Sequence, residues 1–160
     1  MIFKKLLENF QNSHSISDEF VESIENDRSL RIELVNYFRN NADREFVIAL
    51  LDKMISFRKD RDKGISGDSI MLSCYLLGLH HNIEDCLRIW SAKTTDFDTF
   101  CYVDIQLVPF AGLDETISYL KKVNSDNAND ALKYLLECKA SGDFDNLNSY
   151  YAKDALPWYV

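Results

Sequence analysis

Glycine and proline are scarce, at 5 and 2 residues in 160. Turn-dense β-sandwiches depend on both, so that class is excluded. No apolar run approaches the roughly 18 residues that a membrane-crossing helix needs. The opening segment, Met1-Ile2-Phe3-Lys4-Lys5-Leu6-Leu7, is short and amphipathic, and Glu8 and Asn9 interrupt it before a signal-peptide core forms. Cysteine is confined to Cys74, Cys86, Cys101 and Cys138, widely spaced and without a C-x-x-C pair. That excludes a disulfide miniprotein and predicts reduced thiols packed as small hydrophobes in a cytoplasmic protein. Positive charge is also short: 18 basic against 26 acidic side chains leave a net charge of −8. Phosphate backbones need cationic neutralisation, so direct nucleic-acid binding is disfavoured.

What is present is the material of one soluble domain, with 46% apolar and 28% charged residues. Residues 1–160 suit a single hydrophobic core. Apolar residues recur at helical spacing. Phe3, Leu6, Leu7 and Phe10 form one stripe. Ser17 is placed to cap a helix carrying Phe20, Val21 and Ile24. Leu30, Leu34, Val35 and Phe38 form a third stripe, stopped by Asn40-Asn41. Asp43 opens the next helix, whose Phe46, Val47, Leu50, Leu51, Met54 and Ile55 make a broad apolar face. The charged run Arg58 to Gly64 reads as a solvated joint. Beyond it, Ser69 to Leu79 is apolar nearly all round, as in a helix buried on most sides.

A turn at His80-His81-Asn82 leads to Ile83, Cys86, Leu87 and Trp90 on an amphipathic helix, then a loop over 91–95. Phe97 to Val108 is again apolar, and Leu113, Ile117, Leu120 and Val123 form a further stripe. Leu132, Leu135 and Leu136 follow, then Phe144, Leu147, Tyr150 and Tyr151. The tail Leu156-Pro157-Trp158-Tyr159-Val160 is apolar enough to dock. The fold expected is all-α, with about nine to ten helices. Residues 68–92, 97–123 and 128–152 read as helical hairpins starting about 30 residues apart, an irregular helical repeat. One stretch competes with helix: Cys101 to Leu107 alternates at period two, the mark of a strand. Helix is preferred because a lone strand leaves its backbone unpaired.

Charge is unevenly spread. Residues 1–61 hold 10 basic and 11 acidic side chains; residues 62–160 hold 8 and 15. The first part is near neutral, and the hairpin part, 66–155, carries the negative charge. Many of its acids stand at expected helix starts: Asp68, Asp96, Asp98, Asp126, Asp143 and Asp145. Capping and the helix dipole explain any one of them. As a row along one edge of a stacked array they make a field that steers a basic partner. Asp104, set among Phe100, Val103, Ile105 and Val108, must be paired or hydrogen-bonded if buried. Asp68, Asp96, Asp98, Asp104 and Asp126 are therefore the candidate partner-binding residues.

Catalytic and metal patterns fit poorly. Asp60-x-Asp62-x-Gly64 places its glycine one position early for a calcium loop, and Met71 stands where the bidentate glutamate belongs. Gly64-Ile65-Ser66-Gly67 opens a helix as phosphate loops do, yet no Lys-Ser/Thr follows and Asp68 repels an anion. His80-His81 with Cys74 or Cys86 matches no zinc spacing. Their plainer reading is a turn with one histidine on helix-end carbonyls. No nucleophile has a local catalytic signature, so no catalytic residue, metal or cofactor is expected.

Ser66-Gly67-Asp68-Ser69 through Ala111-Gly112 carries Cys74-Tyr75-Leu76-Leu77-Gly78-Leu79-His80. It also carries Ile83-Glu84-Asp85-Cys86-Leu87-Arg88-Ile89-Trp90 and Asp96-Phe97-Asp98-Thr99. In character this stretch resembles the small acidic helical immunity proteins encoded beside bacterial polymorphic and contact-dependent growth-inhibition toxins. The resemblance implies a tight one-to-one complex with a basic toxin domain, often a nuclease, and no chemistry of the chain's own. Neither a membrane nor nucleic acid is then a direct partner. Two other readings stand beside it. One is a generic helical-repeat adaptor holding a protein or peptide in an apolar groove. The other is an enzyme or small-molecule binder built around Asp104.

Overall fold

The computed structural model describes residues 2–160. Among them are ten α-helices, one short 3-10 helix and no strand. The expected all-α architecture is observed.

Local capping chemistry sets the early boundaries. α1 (Ile2–Ser13) turns Phe3, Leu7 and Phe10 inward. α2 (Asp18–Asn26) begins where the Ser17 side chain accepts the Phe20 N–H. Asp27 accepts the Ser29 and Leu30 N–H groups and starts α3 (Arg28–Phe38). Asp43 does the same for Phe46 and opens α4 (Arg44–Lys59). Each such cap satisfies helix-end donors that would otherwise lack partners. The Phe46 ring gathers Phe3, Phe10, Phe20 and Phe38 at centroid distances of 5.3–6.0 Å, so α1 to α4 close around one aromatic cluster.

α5 (Gly67–Gly78) is the axis of the molecule. Every residue from Ser69 to Gly78 is buried. α4 packs along one side, and α3, α6 (Asp85–Lys93) and the 3-10 helix Ile105–Leu107 cover the others. Its buried Ser73 hydroxyl is not orphaned, lying 2.9 Å from the Met54 sulfur and 3.3 Å from the Ser69 carbonyl. At its far end Gly78 lies under the Phe110 ring. A Cβ there would come within 2.5 Å of that ring, whose own atoms are buried. Gly78→Ala is expected to cost about 1–3 kcal/mol by overpacking. Urea denaturation with an unchanged slope and a lowered midpoint checks it.

The charged joint is a stapled turn. Lys63 pairs with Asp18 of α2 and sits 4.3 Å from the Phe57 ring centre, while Arg58 donates to the Ile65 carbonyl. α4 and α5 pack on each other directly across it.

The second half departs from the expected boundaries in three places. α6 runs through Lys93, so residues 91–93 are helix, not loop. α7 (Phe97–Tyr102) stops early and the chain extends through Val103 and Asp104 into the 3-10 helix. Here lies the source of the period-two pattern. Val103, Ile105 and Leu107 turn inward along the extended Val103-Asp104 pair and the 3-10 turn after it, while Tyr102, Asp104 and Gln106 are more exposed. The alternation is a true burial signal with no strand beneath it. Finally, α8 (Leu113–Val123) packs on α9 (Asp126–Ala140), and α7 leans on α6. The hairpins expected over 97–123 and 128–152 are thus displaced in register. α7 is too short to cover α8, and α10 (Leu147–Tyr150) is a single turn. Asp143 and Asp145 lie in the turn before α10 and not at a helix start.

The tail docks as expected. Tyr159 and Val160 are buried. Arg28 Nε donates to the Val160 carbonyl at 3.2 Å, and Arg39 donates to the carbonyls of Lys153 and Ala155 at 3.2 and 2.7 Å. No helix among the described residues is long and apolar enough to cross a membrane.

Candidate functional site

Three of the five predicted acids lie along α7, whose start meets Arg58 at the end of α4 and whose last residue, Tyr102, meets the start of α5. Asp96 is the N-cap of α7. Its carboxylate accepts the Thr99 N–H at 2.9 Å, and the Thr99 hydroxyl accepts the Asp96 N–H at 3.0 Å, closing a capping box. Arg58, from the last turn of α4, grips the same carboxylate with Nε at 2.6 Å and Nη2 at 3.3 Å. Those hydrogen bonds hold the Asp96 carboxyl below the usual carboxylate range. Asp98, one turn-position on, touches Arg58 only at 3.4 Å, and its side chain is 83% exposed.

Asp68, in the first turn of α5, accepts the Tyr102 hydroxyl at 2.7 Å. That bond pushes the Tyr102 phenol above its ordinary range, since ionisation would set two negative charges together. The ring lies against Gly67, and a Cβ at that position would fall 2.0 Å from it. A groove of about 470 Å³ results, lined by Arg58, Ser66, Gly67, Asp98, Thr99, Cys101 and Tyr102. Tyr102 is solvent-facing, so Gly67→Ala is expected to swing the ring away with under about 1 kcal/mol lost. The groove loses a wall. The check is NMR titration of the labelled Tyr102 phenol, which should return toward about 10 as its carboxylate contact breaks.

Asp104 sits beyond α7 and plays a tethering part. A single carboxylate oxygen accepts the Tyr150 hydroxyl and the Trp158 indole N–H, both at 2.8 Å. Trp158 in turn stands edge-on to Tyr102 at 5.9 Å. Asp104 is thereby joined to the Asp68 cluster through two aromatic rings. Lys93, buried among Phe100 and Tyr134, donates to the Phe100 and Val103 carbonyls at 2.6 and 2.5 Å and closes the end of α7. Burial pulls the Lys93 ammonium below the usual lysine range. Asp126 stands apart in the first turn of α9, capped by Ser125. Its side chain makes no hydrogen bond or ion pair among the described residues. The expected row is therefore a cluster of three, one tethered neighbour and one separate acid.

The other sequence patterns resolve locally. The helix opening after Gly64 is already filled by a protein carboxylate. Glu25 accepts the Ser66 N–H at 3.1 Å, the Ser66 hydroxyl at 2.9 Å and the Ser69 hydroxyl. Asp60 accepts the Asp62 N–H at 2.9 Å in its own turn. His80 Nδ1 lies 3.0 Å from the Leu76 carbonyl, the helix-end role expected of it. No group of three metal-ligating side chains forms among the described residues. Burial pushes the Cys74 and Cys86 thiols up to about 12, far from a reactive thiolate.

Sequence reasoning missed four members of the edge: Arg58, Phe97, Tyr102 and Trp158. Arg58 sits in a charge run, and nothing local marks a partner 38 positions away. Phe97 opens an apolar run yet is 79% exposed, and Trp158 is 61% exposed. One signal was available. Phe97 stands between two aspartates just inside a cap, opposite the Phe100–Val103 face that must turn inward. Compared with protein-family models, with curated proteins and with solved structures, the chain matches none of them.

Proposed function

We propose that this chain is an inhibitory binding protein of the immunity type. It acts in the cytoplasm, binds a cognate basic toxin domain one-to-one, and carries out no chemistry itself. The observation that carries this reading is the meeting of Asp68, Asp96 and Asp98 on one edge. A nuclease keeps a basic surface for its substrate, and an acidic partner can occupy that surface as a phosphate mimic.

The acids divide the work. Asp96 and Asp104 hold the edge in shape, while Asp98 is exposed and half-buried Asp68 spends only one carboxylate oxygen on Tyr102. Charge reversal at Asp96 breaks a cap and an ion pair as well as the field, so Asp98→Lys is the cleaner test. The experiment is co-expression with the product of the adjacent gene. Protection of growth and co-purification are expected for the native chain, with protection weakened by Asp98→Lys. Growth arrest despite abundant folded chain would contradict the reading. The second reading, a helical adaptor, draws on the exposed Phe97 and Trp158 rings. It predicts affinity that barely changes with salt.

A further inference from the structure

We propose that the outward face of α7, formed by Phe97, Asp98, Cys101 and Tyr102 and continued by Trp158, takes a basic amphipathic segment of the partner. An apolar side chain of that segment enters the groove lined by Arg58, Asp98, Thr99, Cys101 and Tyr102, with Phe97 exposed on the same helix. The segment's lysines or arginines meet Asp98 and Asp68. The proposal deepens the inhibitor reading and rests on it for the partner being a protein inhibited by this chain.

Four observations converge. α7 places residues 97, 98, 101 and 102 on one exposed face while Thr99 and Val103 are buried and Phe100 packs against the core. An exposed phenylalanine and tryptophan flanking a half-exposed tyrosine are the residue types that anchor interfaces once buried. Acceptor capacity remains: Tyr102 engages only Asp68 Oδ1, and Arg58 reaches only Asp98 Oδ2, at 3.4 Å. The face is also held in place before any partner arrives. Arg58 and the capping box fix the start of α7, Lys93 closes its end, and Asp104 pins Trp158. Prepositioned side chains lose less freedom on binding.

Charge complementarity selects the occupant. A second copy of the chain would set Asp68 and Asp98 against like charge. Anionic lipid and nucleic acid meet the same repulsion from a half-chain with 15 acidic and 8 basic side chains. A purely cationic strand would leave Phe97 and Trp158 in water. What remains is a segment with both apolar and cationic side chains.

The probe is a short synthetic helix of leucine and lysine, titrated calorimetrically against the full chain. Oligolysine and a leucine–glutamate counterpart serve as controls. The leucine–lysine helix should bind, oligolysine about tenfold more weakly, and the glutamate counterpart not at all. Phe97→Ala and Asp98→Lys should each weaken binding about tenfold. Both side chains are solvent-facing, and unchanged thermal melting confirms that the variants fold. No binding to the native chain, equal binding by Phe97→Ala, or equal binding of oligolysine overturns the proposal. So does self-association that Phe97→Ala abolishes, which would assign the face to a second copy. Peptide binding without protection from the toxin removes the inhibitor reading and leaves this face. Affinity for the toxin unchanged by Phe97→Ala, with protection intact, removes this face and leaves that reading.

Discussion

Arg44→Ala is expected to destabilise the fold by about 3–5 kcal/mol. Asp85 begins α6 and is 2% exposed. Arg44, at the start of α4, holds it in a fork, Nε to Oδ2 at 2.9 Å and Nη2 to Oδ1 at 2.6 Å. Arg88 is 3.9 Å away and offers only a long contact. Removing Arg44 leaves a desolvated carboxylate without its main partner, and that penalty outweighs the lost bond itself. Arg44→Lys keeps the charge but not the planar fork, so recovery should be partial. Arg44→Met with Asp85→Leu removes both charges and should restore most of the stability. Urea midpoints across these variants decide the matter. A loss under about 1 kcal/mol for Arg44→Ala would mean the pair behaves like a surface salt bridge.

The second large effect is a steep alkaline transition. Burial raises Tyr150, Tyr151 and Tyr159 well above the ordinary phenol range, with neighbouring Asp104 adding to the shift at Tyr150. Burial also lifts Cys74 and Cys86 to about 12. All five groups keep their protons longer folded than unfolded. Their contribution is whole below the unfolded values, about 8.5 for a thiol and about 10 for a phenol. It is lost as pH rises from there toward the folded values. Each group then removes about 1.4 kcal/mol per pH unit. Lys93 works the other way. Its folded value is lowered, so its burial penalty eases as pH rises. One lysine opposes five acids, and a domain stable by about 5–15 kcal/mol should unfold between about pH 10 and 12. Circular dichroism against pH, under reducing conditions, should show one cooperative loss of structure in that window. A native spectrum at pH 12 would contradict the buried placement of these groups.

The early helices were legible because stripe and cap agree: Ser17 and Asp43 stand where the apolar period begins, and both accept the donors expected of them. α5 was legible from its all-round apolarity, which only a central helix can bury. The 103–107 link was legible in burial but not in type, because an extended pair running into a single 3-10 turn alternates inward and outward over so short a span just as a strand does. Helix pairing was not legible. Whether α8 meets α7 or α9 depends on α7 ending at Tyr102, and that ending follows from Lys93 and the 3-10 helix packing behind it. Asp68 and Asp98 were found through charge, yet their neighbours Arg58 and Tyr102 come from 30 to 40 positions away, beyond the reach of local periodicity. The tail was read as docked, but its role in presenting Trp158 depends on Asp104, whose partners are distant tyrosine and tryptophan side chains.

The most direct measurement is the association rate with the product of the adjacent gene, the proposed toxin, in inactivated form, followed by stopped flow across ionic strengths. The account predicts a rate that falls steeply from low to physiological salt while dissociation changes little, and a slower, flatter dependence for Asp98→Lys. A rate indifferent to salt, or unaltered by reversing Asp98, would contradict it.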